Sequence, residues 1–181
     1  MDEAEIIAFL SLEKDALRVQ SAILKVDRKP GLYSIFVDDA TSLPDPFRSL
    51  LISSGNRLLY IGRVRDSLYQ RLIEEELRHR RAATFFRGIG AVLGFLPLSG
   101  SLRENKNKKN YRFSSEDSAK IIAWNERHLR VRWLGLDVEQ LLGVEPVVIR
   151  TLRPLMNTVH NPNRRPELAD LRAECRRVAC L

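Results

Sequence analysis

The stretch Leu58-Leu59-Tyr60-Ile61-Gly62 constrains this chain more than any other. An apolar run with an embedded aromatic suits a strand that packs on a core. A basic segment, Arg63-Val64-Arg65, follows Gly62, and Asp66-Ser67 supplies capping oxygens ahead of Leu68-Tyr69-Gln70-Arg71-Leu72. The order predicts strand, tight turn and helix, with Tyr60 on the strand and Arg71 in the first or second helical turn. A strand of the same make lies upstream at Gly31-Leu32-Tyr33-Ser34-Ile35-Phe36-Val37, straight after the turn at Lys29-Pro30. The connection between the two tyrosines is too long for a tight hairpin. Pro44-Asp45-Pro46 breaks it, Phe47 to Ile52 reads as a short helix, and Ser53-Ser54-Gly55-Asn56 turns it back. The two strands can therefore pair antiparallel with the connection outside the sheet.

The remaining chain reads as cover for that pair. Residues 2–27 predict one or two helices, since Ile6, Ile7 and Leu10, then Ala16, Val19, Ala22 and Ile23, keep helical spacing. The helix from Ser67 carries an apolar stripe of Leu68, Leu72, Tyr69, Ile73 and Leu77, flanked by Arg71. Glu74-Glu75-Glu76 and Arg78-His79-Arg80-Arg81 read as a solvated helix face. Phe85, Phe86 and Phe95 read as core, and Gly88, Gly90 and Gly94 lack the spacing of a phosphate-binding loop. Ser114-Ser115-Glu116-Asp117 caps a helix that runs to about Arg127. Leu129-Arg130-Val131-Arg132-Trp133-Leu134 alternates apolar and basic residues, as a half-buried strand does, and puts Arg130 and Arg132 on its exposed face. A helical segment follows Asp137, with a fresh helix start expected near Glu145 and a stop at Arg153-Pro154. A terminal helix begins after Arg164.

Charge bears on partners. Thirty Lys and Arg against 23 Asp and Glu give a net charge of +7, which favours an anionic partner. The excess is local between Arg103 and Arg112, where Lys106, Lys108 and Lys109 are interleaved with Asn105, Asn107, Asn110 and Tyr111. Such a loop suits contacts to phosphate, and equally suits an exposed segment with no partner. The two cysteines, Cys175 and Cys180, form no disulfide framework and no zinc spacing, which fits a reducing cytoplasm. No signal peptide and no membrane-spanning run is read.

Gly31-Leu32-Tyr33 and Tyr60-Ile61-Gly62 resemble the two halves of the signature of the GIY-YIG nuclease superfamily. The family follows its second half with a helical Arg, matched by Arg71, and later with a Glu and an Asn, matched by Glu145 and Asn157. The segment from Glu145 to Asn157 is similar to the family's order of Glu, apolar helix, Pro, Leu and Asn. Leu32, Pro146 and the stretch between Tyr60 and Arg71 depart from the pattern without removing a functional side chain. The resemblance implies a small α+β domain around a three-stranded antiparallel sheet flanked by helices. It implies Tyr33 as general base, Tyr60 orienting phosphate or water, Arg71 stabilising the transition state, Glu145 holding Mg²⁺ or Mn²⁺, and Asn157 buttressing the site. Gly62 would let the chain pass close to substrate, and Arg63 stands where the family often has Lys.

These readings give three parts: a helical cover over residues 1–28, a nuclease-like domain over 29–162 with insertions at 38–57 and 97–114, and a C-terminal helix over 163–181. The expected activity is metal-dependent hydrolysis of phosphodiesters, in DNA rather than RNA, with no membrane partner. Backbone contacts are expected from Gly62, Arg63, Lys106, Lys108, Lys109, Arg130 and Arg132. Two other classes stay open: a nucleic-acid-binding module that does not cleave, and a protein–protein interaction domain whose charge is incidental.

Overall fold

The structure is a computed structural model and describes residues 1–81, 83–104 and 106–181. Asn105 of the basic loop lies outside the described residues. Four strands form one antiparallel sheet in the order β1-β4-β2-β3: β1 (Leu17–Arg18), β2 (Gly31–Val37), β3 (Leu58–Val64) and β4 (Leu129–Gly135). Tyr33 and Tyr60 share this sheet with the strand at 129–135, as the sequence predicts. The two-residue β1 is the addition to the three strands expected; it pairs Leu17 with Val131 at the edge of β4. It interrupts the N-terminal helical run, which consists of α1 (Glu3–Ser11) and the one-turn α2 (Val19–Ala22).

β2 is central and every residue in it is buried. It pairs with β3 through Tyr33 opposite Gly62 and Ile35 opposite Tyr60, and with β4 through Tyr33 opposite Trp133. Successive side chains point to opposite faces, so each face carries its own core. One face holds Tyr33, Ile35 and Val131 against α4 (Thr84–Val92), α5 (Ser115–His128) and α7 (Pro166–Cys180). The other holds Leu32, Phe36 and Ile61 against α1 and α6 (Val138–Leu152). Between the β2 and β3 strands the chain forms α3 (Phe47–Ser54), capped by Gly55 at φ 69°.

Two helices differ from the sequence reading. The segment after Ser67 is a π-helix over Tyr69–Leu77. Its last turn shows the wider bond, Arg78 N donating to Ile73 O at 3.1 Å. The helix expected to begin afresh near Glu145 is instead continuous from Val138, with Pro146 inside it. Pro removes one intrahelical donor, whose partner would be the carbonyl four residues back. That carbonyl belongs to Leu142, which is exposed beside exposed Gly143, so water can satisfy it. Arg153 in the left-handed region and then Pro154 end the helix.

Candidate active site

The first half of the site is built on β2. Gly31 sits where any Cβ would lie 2.2 Å from the Leu134 carbonyl oxygen and 2.7 Å from Leu68 Cδ1. Only Gly lets β4 and the start of the π-helix close on the strand there. Two residues on, Tyr33 points to the same face and is completely buried. Its ring lies across Gly62 of β3, where an added Cβ would be 2.2 Å from Tyr33 Cζ. Gly62 therefore makes room for a tyrosine of its own protein. The ring of Tyr60, half-buried, stands 6.3 Å from that of Tyr33 and 5.6 Å from that of Phe85.

Beneath the tyrosines lies a carboxylate that the sequence reading placed in solvent. Glu76 has no exposed surface. Its Oε1 accepts from the Tyr33 hydroxyl at 3.3 Å and pairs with Arg71 Nη2 at 2.8 Å, and its Oε2 accepts from the Phe85 N–H at 2.8 Å. Arg71 also reaches Glu75 through Nη1 at 2.9 Å. The π-helix explains this double grip. With i→i+5 bonding, the fourth and fifth residues on both lie about one turn above Arg71. The missed signal was position: Glu76 follows Leu72 by four residues and Ile73 by three, on the apolar stripe itself.

Electrostatics in this cluster follow from burial. Burial, then the Glu76 charge, pushes the Tyr33 hydroxyl well above its ordinary pKa, with Arg71 opposing. Tyr60 is raised for the same two reasons. Burial raises Glu76 too, although Arg71 and the Phe85 N–H pull it down. Arg71 is raised above its ordinary value: burial works against its charge, and Glu76, Tyr33 and Glu75 together outweigh that.

Glu145 and Arg63 stand apart from this cluster. Arg63 alternates with Gly62 and faces the other side of β3, where its Nε meets Glu145 Oε2 of α6 at 2.9 Å. Burial raises the Glu145 pKa, and Arg63 and His160 lower it. The two groups of residues still sense each other across the edge strand, because the Glu145 charge contributes to raising Tyr60. Asn157 ties the edge down. Its Oδ1 accepts from Ile61 N at 2.9 Å and its Nδ2 donates to Ile61 O at 2.8 Å. Met156 N donates to Leu59 O at 2.8 Å, so the segment after α6 runs along the free edge of β3. Asn161 then fixes that segment by donating to the carbonyls of Pro154 and Asn157.

The basic residues expected to grip a backbone are divided. Arg130 pairs with Asp38, and Arg132 pairs with Asp15 at 3.4 Å and covers the Phe9 ring at 3.7 Å. Neither stands free on an exposed face, because acids from the connection after β2 and from the N-terminal segment neutralise them. In the loop after Pro97, Leu102, Tyr111 and Phe113 are buried, so its ends are anchored. Lys108 Nζ donates to the carbonyls of Leu102 at 2.7 Å and Arg103 at 2.9 Å. Lys106 and Lys109 are exposed.

A central antiparallel sheet with paired Gly and Tyr on neighbouring strands, a following Arg helix, and an Asn clamp on the edge make this an α+β domain. The chain belongs to the family described as the GIY-YIG catalytic domain, whose model matches residues 31–174. The match extends into α7, beyond the boundary at 162 read from sequence. No curated protein and no solved structure matches the chain. Domains of this family are typically nucleases, and the substrate they imply is nucleic acid. No helix among the described residues is long and apolar enough to cross a membrane.

Proposed function

We propose that this protein is a divalent-metal-dependent endonuclease that hydrolyses phosphodiester bonds of DNA. The observation that carries the reading is the chain Tyr33–Glu76–Arg71, hydrogen-bonded under Gly62 with Tyr60 beside it. Hydrolysis of a phosphodiester needs a base for water and a cation for the charge that develops on phosphorus oxygens. Arg71 supplies the cation; two carboxylates fix its fork, and about a quarter of its side chain remains accessible (27%). Tyr33 is protonated at neutral pH. As base it takes a proton from water while its own proton passes to Glu76 Oε1, whose raised pKa makes it a better acceptor than an exposed carboxylate. This route requires substrate binding to open the cover over Tyr33.

Glu145 fits a metal of the Mg²⁺ type. Among the described residues no three acidic, His or Cys side chains gather into a cage, and Mg²⁺ keeps most of its waters, taking one or two carboxylates. Glu145 Oε2 is engaged by Arg63, leaving Oε1 as the single protein anchor. When bound, the ion supplies Lewis-acid neutralisation of the phosphate.

One observation favours a second reading, a nucleic-acid-binding module that does not cleave: Tyr33 is sealed from solvent. Incubating the protein with supercoiled and single-stranded DNA, with and without Mg²⁺, separates the two. Metal-dependent nicking or cleavage supports the enzyme. Salt-sensitive binding without cleavage supports the module.

A further inference from the structure

α4 and α7 cross so closely that a Cβ on Gly88 would lie 2.7 Å from Arg172 Nη2. Beside this crossing lies a cavity of about 300 Å³. Arg87, Lys109, Arg172 and Arg176 line it together with Thr84 and Thr158, and no carboxylate does. Among the described residues none of the four cations forms an ion pair. Two guanidinium nitrogens, Arg87 Nη1 and Arg172 Nη2, are shielded from solvent and have no hydrogen-bond partner among those residues. A desolvated charge with unfilled donors is costly to keep. Burial lowers the pKa of both groups, and a neighbouring arginine lowers each further. The carboxylate both sense is Glu76, already committed to Arg71, Tyr33 and the Phe85 N–H.

What these donors lack is an anion with acceptors in several directions, which describes a phosphate. The cavity lies near the site: Thr84, which lines it, precedes Phe85, whose ring stands 5.6 Å from that of Tyr60. We propose that it is a phosphate subsite that holds a non-scissile backbone phosphate of the nucleic-acid strand, with Arg87 and Arg172 as buried contacts and Lys109 as the exposed one. The choice of occupant rests on the nuclease reading. The subsite draws on α4, α7 and the loop at Lys109, which lie far apart in sequence, so the charge pattern of any one segment did not reveal it.

The test uses the full chain in EDTA. Binding of a fluorescent 20-base-pair duplex is followed from low to moderate salt for wild type, Arg172→Gln and Arg87→Gln. Each variant should weaken binding and flatten the log–log salt slope by about 0.9 for every phosphate it no longer neutralises. Thermal unfolding is followed with inorganic phosphate against chloride of equal ionic strength. Phosphate should raise the Tm of the wild type and not that of Arg172→Gln. Without any anion Arg172→Gln should unfold no earlier than wild type, since it removes an unsatisfied charge. Slopes equal to wild type overturn the proposal, and a phosphate response without a slope change would reassign the cavity to a small free phosphate. Early unfolding of Arg172→Gln at wild-type affinity would make the guanidinium structural. Flattened slopes in a protein that cleaves no DNA would leave the subsite standing and remove the nuclease reading. Cleavage with unchanged slopes would do the reverse.

Discussion

Gly62 and Tyr33 form one unit, because the glycine exists to receive the ring. Gly62→Ala places a methyl group 2.2 Å from Tyr33 Cζ, and no rotamer of a buried ring can yield that much. The expected destabilisation is about 2–3 kcal/mol, the upper range for overpacking. In Tyr33→Ala the same change should cost far less, and a double-mutant cycle on urea unfolding measures the coupling. Additive effects would mean that the strands do not hold the ring there. His79 gives a pH signal of its own. Its ring stacks on Phe86 at 4.2 Å, and burial, aided by Arg87 and Arg112, brings its pKa from 6.5 down to about 4. The unfolded chain therefore takes up the proton first. This contribution to stability is present above pH 6.5 and is lost as pH falls towards 4. His79→Phe keeps the stack and removes the titration, so unfolding measured across that window should show a flatter pH dependence than wild type. Matching slopes would place the His79 ring in water.

At the scale of elements, the edge strand β3 is the part most in need of support, since it joins the sheet on one side only. Asn157 imitates a neighbouring strand by pairing both backbone groups of Ile61. Asn157→Ala leaves a buried N–H and a buried carbonyl without partners, at about 1–3 kcal/mol each. Hydrogen exchange at Ile61 should then accelerate relative to β2, and unchanged protection there would refute the clamp. Much of this framework was legible in the sequence. Strands β2, β3 and β4, the cap of α5 and the order of Tyr33, Tyr60, Arg71, Glu145 and Asn157 all follow from period, turn residues and resemblance. What escaped had physical causes. The π-helix arises from a one-residue change in hydrogen bonding that hydrophobic spacing does not distinguish from an α-helix over so few turns. Glu76 was hidden because three consecutive acids imitate a wet surface, although its place on the apolar stripe contradicted that. The pairing of Arg130 and Arg132 depends on Asp38 and Asp15, which only the folded chain brings near.

For the whole molecule, the sheet divides the proposed chemistry between two faces. Tyr33, Tyr60, Glu76 and Arg71 lie on one, and Glu145 with Arg63 flanks the edge strand from the other. The proposed mechanism has both sets act on one phosphate across β3, which Asn157 holds in place at Ile61. The most direct test is the initial rate of supercoiled DNA cleavage in Mg²⁺ by wild type and Glu145→Ala, with Glu74→Ala beside them and unfolding curves to confirm the fold. Wild type should cleave, Glu74→Ala, which pairs with Arg78 and Arg80 rather than Arg71, should retain much of that rate, and Glu145→Ala should lose about a hundredfold or more while still binding DNA in EDTA. Cleavage by Glu145→Ala at the wild-type rate would contradict the proposed mechanism, because the reaction would then not depend on the proposed metal anchor.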